Sequence, residues 1–290
     1  MNRVLRIIGF GLALSILYSC STQYKTFSKN NRTKIHNLSY GTHKKQKLDA
    51  YFPETIDSSR PVVVLIHGGS WKHGDKLMLR SVQHMLLRNG VPSININYRL
   101  MSKKIKLGQQ QDDIASSILL ADSLFKNKYS GKYILLGESA GAHLAMMYGY
   151  RNTQQVEKII SLSGPTDLSD KAYTKSFKSL LAIPVINKLT SSSYKRGQVI
   201  PEAYKTCSPL YNISNVPTLL VQGGVDFYVN KRQAYQLDSV LAERNIEHKL
   251  VYVKNGGHVA RLNPIFRNKF IYPAIKEWVG IAAAKATNTN

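Results

Sequence analysis

A chain of 290 residues with 43% hydrophobic composition is long enough to bury a proper core, and one large α/β domain is the simplest arrangement. Its 40 lysines and arginines against 17 acidic residues give a formal charge of +23, a field suited to anionic lipid or acidic substrates. The basic residues run along the whole chain instead of interleaving with stacking aromatics on one face, which argues against nucleic acid as a partner.

The first twenty residues, MNRVLRIIGFGLALSILYSC, carry Arg3 and Arg6, then an apolar stretch from Ile7 to Leu17, then modest side chains before Cys20. This is a secretory signal layout, too short for a stable span, and residues 1–19 are expected to be a signal peptide. Leu17-Tyr18-Ser19-Cys20 resembles the bacterial lipobox, although Tyr18 is bulky for it. Cleavage there would leave Cys20 lipidated and join the protein to a membrane through that lipid. The expected location is the bacterial cell envelope, as a periplasmic protein or an outer-membrane lipoprotein, the latter favoured by Ser21 in place of an aspartate. Loss of residues 1–19 lowers the charge from +23 to +21, and a lipidated Cys20 leaves Cys207 without a disulfide partner. Residues 20–34 are polar and basic without periodicity and read as a flexible tether, with the domain over 35–285.

From there short apolar runs alternate with amphipathic stretches. KLDAYFP and VVVLIHG (62–68) precede a helical segment near 77–89, and SININY (93–98) precedes another near 109–126. YILLGES (133–139) leads into a helix over about 140–150, followed by KIISLSG at 158–164. Residues 168–205 break the rhythm with a Ser-, Lys- and Tyr-rich segment around SLLAIPVINKL, read as a small helical cap inserted over the site. TLLVQGG (218–224), a helix at 230–244, KLVYV (249–253) and a last helix near 264–283 complete the chain. Alternation of this kind predicts an α/β fold with a mostly parallel, doubly wound sheet, whose ligands bind at the carboxyl ends of the strands.

Gly137-Glu138-Ser139-Ala140-Gly141 lies between the apolar YILL run and an Ala- and Met-rich helix, the setting in which a G-x-S-x-G turn forces its serine outward. A serine hydroxyl needs a base, and the base needs a carboxylate to hold its tautomer. Beyond residue 143 only His248 and His258 are available, and His258 alone sits in a glycine-flanked loop after a strand, whereas His248 begins that strand at the wrong end. Asp226, just past Thr218–Val221, is the candidate acid; Asp238 reads as a surface residue in mid-helix. Ser139, Asp226 and His258 occur in the order expected of this turn, with one helix and one strand between acid and base. A tetrahedral intermediate also needs amide donors. His67-Gly68-Gly69-Ser70-Trp71 supplies glycines that let the backbone approach, and Ala140 supplies an amide at the helix start. His67 is read as a loop-orienting group, and Trp71 as either a pocket wall or loop packing. Arg99 is expected to pair with Asp112 or Asp113, His143 to be a packed histidine, and Asp167 to close a turn at the cap entrance. No metal or cofactor is expected, since His67 and His73 lack a matching carboxylate arrangement.

Taken together, HGGSW, NYRL at 97–100, GESAGAHLA, SGPTDL, GGVDFYV and GGHV resemble bacterial α/β-hydrolases of the carboxylesterase and feruloyl- or acetylesterase-like group, related to the hormone-sensitive-lipase branch. The likeness covers roughly residues 46 to 280. It implies that Gly69 and Ser70, with Ala140, donate to the oxyanion, and that the substrate is a small-molecule or saccharide-linked carboxylic ester. Ser70 stands where a third glycine is usual, and Ala142 replaces a glycine often found after the elbow. The same machinery serves amidases of the prolyl-oligopeptidase and arylformamidase types, the former with an additional propeller domain. A catalytically silent binding module is the remaining alternative, which normally loses a triad residue.

Overall fold

Among the described residues nine strands join in one sheet in the order β1-β2-β3-β5-β4-β6-β7-β8-β9. They are β1 (Lys25–Lys29), β2 (Arg32–Ser39), β3 (Lys47–Phe52), β4 (Val62–Ile66), β5 (Ser93–Ile96), β6 (Tyr133–Glu138), β7 (Val156–Leu162), β8 (Thr218–Gly223) and β9 (His248–Val253). The first three and the β3–β5 pair run antiparallel; β5, β4 and β6 to β9 are parallel. The computed structural model describes residues 25–176 and 179–281. The expected signal peptide at 1–19 and lipidation at Cys20 lie outside the described residues.

The central strands are wholly buried along VVVLI and YILLGE, because a parallel strand covered on both faces has no solvent side. Alternate residues feed two apolar layers. Val62, Val64 and Ile66 face the layer closed by α2 (Leu107–Leu124), α3 (Ala140–Arg151) and α7 (Lys231–Glu243). Val63 and Leu65 face the one closed by α1 (Arg80–Arg88) and the terminal helix α8 (Tyr272–Trp278). Between β7 and β8 the chain forms α4 (Lys171–Thr174), α5 (Ser179–Thr190) and α6 (Glu202–Thr206).

Two segments depart from expectation. Residues 25–34 are no tether: β1 and β2 pair as a hairpin on the sheet edge, turning at Asn30 and Asn31, whose φ angles of 50° and 54° are those of a two-residue type I′ turn. Asparagine tolerates this left-handed backbone, so the pair is a turn signal that composition conceals. The helix expected over 264–283 is instead a turn at Pro264–Phe266, a wide π turn at Arg267–Ile271, and α8 ending at Trp278, with Pro273 in the first turn of α8.

Candidate active site

Ser139 ends β6 and starts α3 with φ 55° and ψ −122°, a strained backbone for a residue bearing a side chain. The strain is enforced by close packing. A Cβ on Gly137 would lie 2.2 Å from the carbonyl oxygen of Gly141, and one on Gly141 would lie 2.1 Å from that of Ile66. Any other residue at Gly137 would push the start of α3 away from β6, and one at Gly141 would push the turn off β4. The first amides of α3 have no acceptor within the helix and point their positive end toward the serine.

His258 Nε2 lies 2.8 Å from Ser139 Oγ, and its Nδ1 lies 2.8 Å from Asp226 Oδ2. A carboxylate only accepts, so Nδ1 carries the proton and Nε2 presents its lone pair to the serine hydroxyl. The Asp226 side chain is fully buried. Its Oδ1 accepts from the amides of Tyr228 (2.8 Å) and Val229 (2.9 Å), and Oδ2 accepts from Gln222 Nε2 (3.2 Å), so the carboxylate is held from three further directions. Tyr228 also tilts its ring over the imidazole at 5.2 Å. The rejected candidates sit elsewhere: His248 is at the opposite end of β9, 3.6 Å from Asp238.

The HGGSW loop leans on the elbow from the β4 side. A Cβ on Gly68 would be 2.9 Å from the carbonyl oxygen of Glu138 and 3.1 Å from Ser139 Cβ. Gly69, Ser70 and Trp71 follow with φ of 120°, 51° and 62°, three consecutive left-handed residues, so Ser70 occupies a conformation that favours glycine. The Gly69 carbonyl takes the amides of Lys72 (3.1 Å) and His73 (2.9 Å). Among the described residues the amides of Gly69 and Ser70 themselves donate to no protein group. Gly68, Gly69, Ser70 and Ala140 all line the cavity that Ser139 and His258 open into.

His67 is buried, stacks on Tyr98 at 4.5 Å and donates from Nδ1 to its neighbour's carbonyl at Gly68 (2.7 Å). Burial lowers its pKa to about 4, so it orients the loop as a neutral group. His143 is likewise buried and lowered to about 4; it accepts from Trp71 Nε1 (3.2 Å) and donates to the Cys207 carbonyl (2.8 Å). Trp71 therefore does both things the sequence left open, lining the cavity while its indole is pinned beneath the loop. Arg99 selects Asp113, with Nη2 2.7 Å from Oδ1, and Asp167 accepts from the Ser169 amide at 2.8 Å.

The cavity measures about 560 Å³. Leu168, Val185 and Ile186 make its roof apolar, and Phe227 and Tyr228 stand exposed at its rim. Tyr173 is the buried polar residue in that roof, its pKa raised mainly by burial and then by the nearby Asp226, so its hydroxyl stays protonated. Three supports escaped the sequence reading: Gln222 on the acid, Tyr228 on the base, and Arg261, whose guanidinium grips Glu138 within the elbow.

Fold and site together define an enzyme of the α/β-hydrolase class. More narrowly, the chain belongs to the BD-FAE family, which matches residues 48–241, more than half of its length. Its fold is similar to the solved truncated carbohydrate esterase from gut microbiota, with a TM-score of 0.72 at 19% identity over 88% of this chain and 98% of that one. Kynurenine formamidase of Salmo salar is 31% identical over 46% of this chain and 46% of that protein. Non-reducing polyketide synthase adrD of Penicillium roqueforti is 25% identical over 60% of this chain and 8% of that protein. The chain thus spans less than half the length of these curated relatives.

Proposed function

We propose that the protein is a serine hydrolase cleaving carboxylic esters. The observation that carries this reading is the unbroken relay from Ser139 Oγ through His258 to the buried Asp226, two contacts of 2.8 Å opening on an apolar cavity. Ser139 Oγ attacks the ester carbonyl carbon while His258 Nε2 takes its proton, and Asp226 stabilises the imidazolium through Nδ1–H. The carbonyl oxygen, now negative, accepts from the amides of Gly69, Ser70 and Ala140. Collapse expels the alcohol with the proton held by His258, leaving an acyl-serine. Water, deprotonated by the same imidazole, then releases the acid and restores Ser139.

The similarity to a carbohydrate esterase and the apolar roof suit a saccharide-linked ester whose acyl part enters the cavity. The formamidase relative favours a second reading, cleavage of a formamide by the same relay. Lipidation at Cys20 and residence in the cell envelope belong to the same proposal and follow from residues 17–20. Ser139→Ala should abolish turnover of p-nitrophenyl acetate and labelling by a fluorophosphonate probe. Persistent labelling of that variant rejects Ser139 as the nucleophile, and faster cleavage of a formanilide than of short-chain esters reverses the order of the two readings.

A further inference from the structure

Glu138, the residue immediately before Ser139, is buried, and its carboxylate receives both prongs of the Arg261 guanidinium: Nε to Oε2 at 2.6 Å and Nη2 to Oε1 at 2.8 Å. The side chains are 2% and 4% exposed. Arg261 lies three residues beyond His258, on the single turn Ala260–Leu262. We infer that this pair is a positioning device, clamping the loop that carries His258 to the turn that carries Ser139; the inference rests on the hydrolase reading above.

Topology explains why a clamp is needed. His258 follows β9 at the sheet edge, while Ser139 follows β6, three strand spacings away, roughly 14 Å. The loop must therefore reach back across the ends of β8 and β7 to place Nε2 against the serine. On its β8 side backbone contacts fix it: the Gly224 amide donates to Val253 (2.9 Å) and the Val225 amide to Gly256 (3.0 Å). On its β6 side the Glu138–Arg261 pair is a side-chain tie, and two parallel hydrogen bonds set orientation as well as distance. Burial is an expensive way to gain stability from charges, since an apolar pair of similar volume often serves as well. Here the ion pair neutralises a carboxylate that would otherwise be buried uncompensated one residue before Ser139.

The test compares wild type, Arg261→Lys and the double variant Glu138→Gln/Arg261→Met, with Ser139→Ala as the blank. The double variant removes both charges together, avoiding the single uncompensated charge that would destabilise either single substitution. Expected is a folded double variant whose kcat for p-nitrophenyl acetate falls about 10- to 100-fold with KM within about twofold, and whose fluorophosphonate labelling slows by the same factor. Arg261→Lys keeps the charge without the fork and should fall between. A folded double variant with kcat within twofold of wild type overturns the role. Should the double variant not fold, an Arg261→Lys enzyme as fast as wild type overturns it instead. Absence of turnover and labelling in wild type would fail the hydrolase reading, a result distinct from either.

Discussion

The two sides of the cavity are built by different physics. On the elbow side, Ser139, Gly68 and the left-handed run from Gly69 to Trp71 are set by backbone pressed on backbone, with histidines buried beneath. On the roof side, α5 offers side chains: Leu181 is 79% exposed and Leu180 69%, and nothing in their conformation demands those residues. The elbow is thus fixed in shape and intolerant of substitution, whereas the roof is free to vary, so the machinery and the selectivity of the enzyme should separate under mutation.

The strongest way to break that contrast is a single methyl group. Gly141→Ala puts a carbon 2.1 Å from the Ile66 carbonyl oxygen, which cannot yield without parting α3 from β4. A loss of at least about 3 kcal/mol in urea unfolding is expected, or failure to recover soluble protein. Gly108→Ala, in α2 with open space around it, should be neutral or stabilising by up to about 1 kcal/mol. Equal effects at the two sites would refute the claim that close packing, and not glycine content, shapes the elbow.

Next in size is a pH dependence to which two buried histidines of the elbow side contribute. His67 and His143 are lowered to about 4 in the folded protein against an ordinary value of 6.5, so between these limits the unfolded chain binds protons that the native one refuses. Their neutral burial contributes fully above pH 6.5 and is lost as pH falls toward 4, on the order of 3 kcal/mol for each at most. His143→Gln retains an acceptor for Trp71 and a donor for Cys207 but does not titrate. Stability curves at pH 7 and pH 4.5 should lie closer together for this variant than for wild type; an unchanged gap would mean His143 is not a source of the slope.

The same division decided what could be read from the sequence. β4 and β6 were legible because wholly buried strands are written as continuous apolar runs, and the elbow because its glycines are compulsory. Asp226 and His258 followed from chain order together with their loops just after apolar runs, which set them apart from Asp238 and His248. Arg261 did not, since its partner lies 123 residues away and no local pattern marks a long-range ion pair. The hairpin at Asn30–Asn31 was hidden for the opposite reason: its signal is local, but the exposed β1 it joins has no apolar face to make the alternation visible. The roof segment could be recognised as an insertion by its composition, while the positions of Tyr173 and Val185 over Ser139 depend on packing that only the folded chain reveals.

The smallest effect, and the one that would sharpen the comparison most, lies in the roof. Leu181 lines the cavity yet is largely exposed, so its removal forfeits little burial and should leave stability within about 0.5 kcal/mol. A methylene contact in a hydrophobic pocket is worth about 1–3 kcal/mol in discrimination, and a partly solvated wall should give the lower end or less. Leu181→Ser is therefore expected to lower kcat/KM for p-nitrophenyl esters of longer acyl chains by a few-fold while leaving the acetate unchanged. A uniform loss across all chain lengths would place Leu181 with the elbow machinery and erase the distinction; a loss confined to long chains would assign acyl choice to α5.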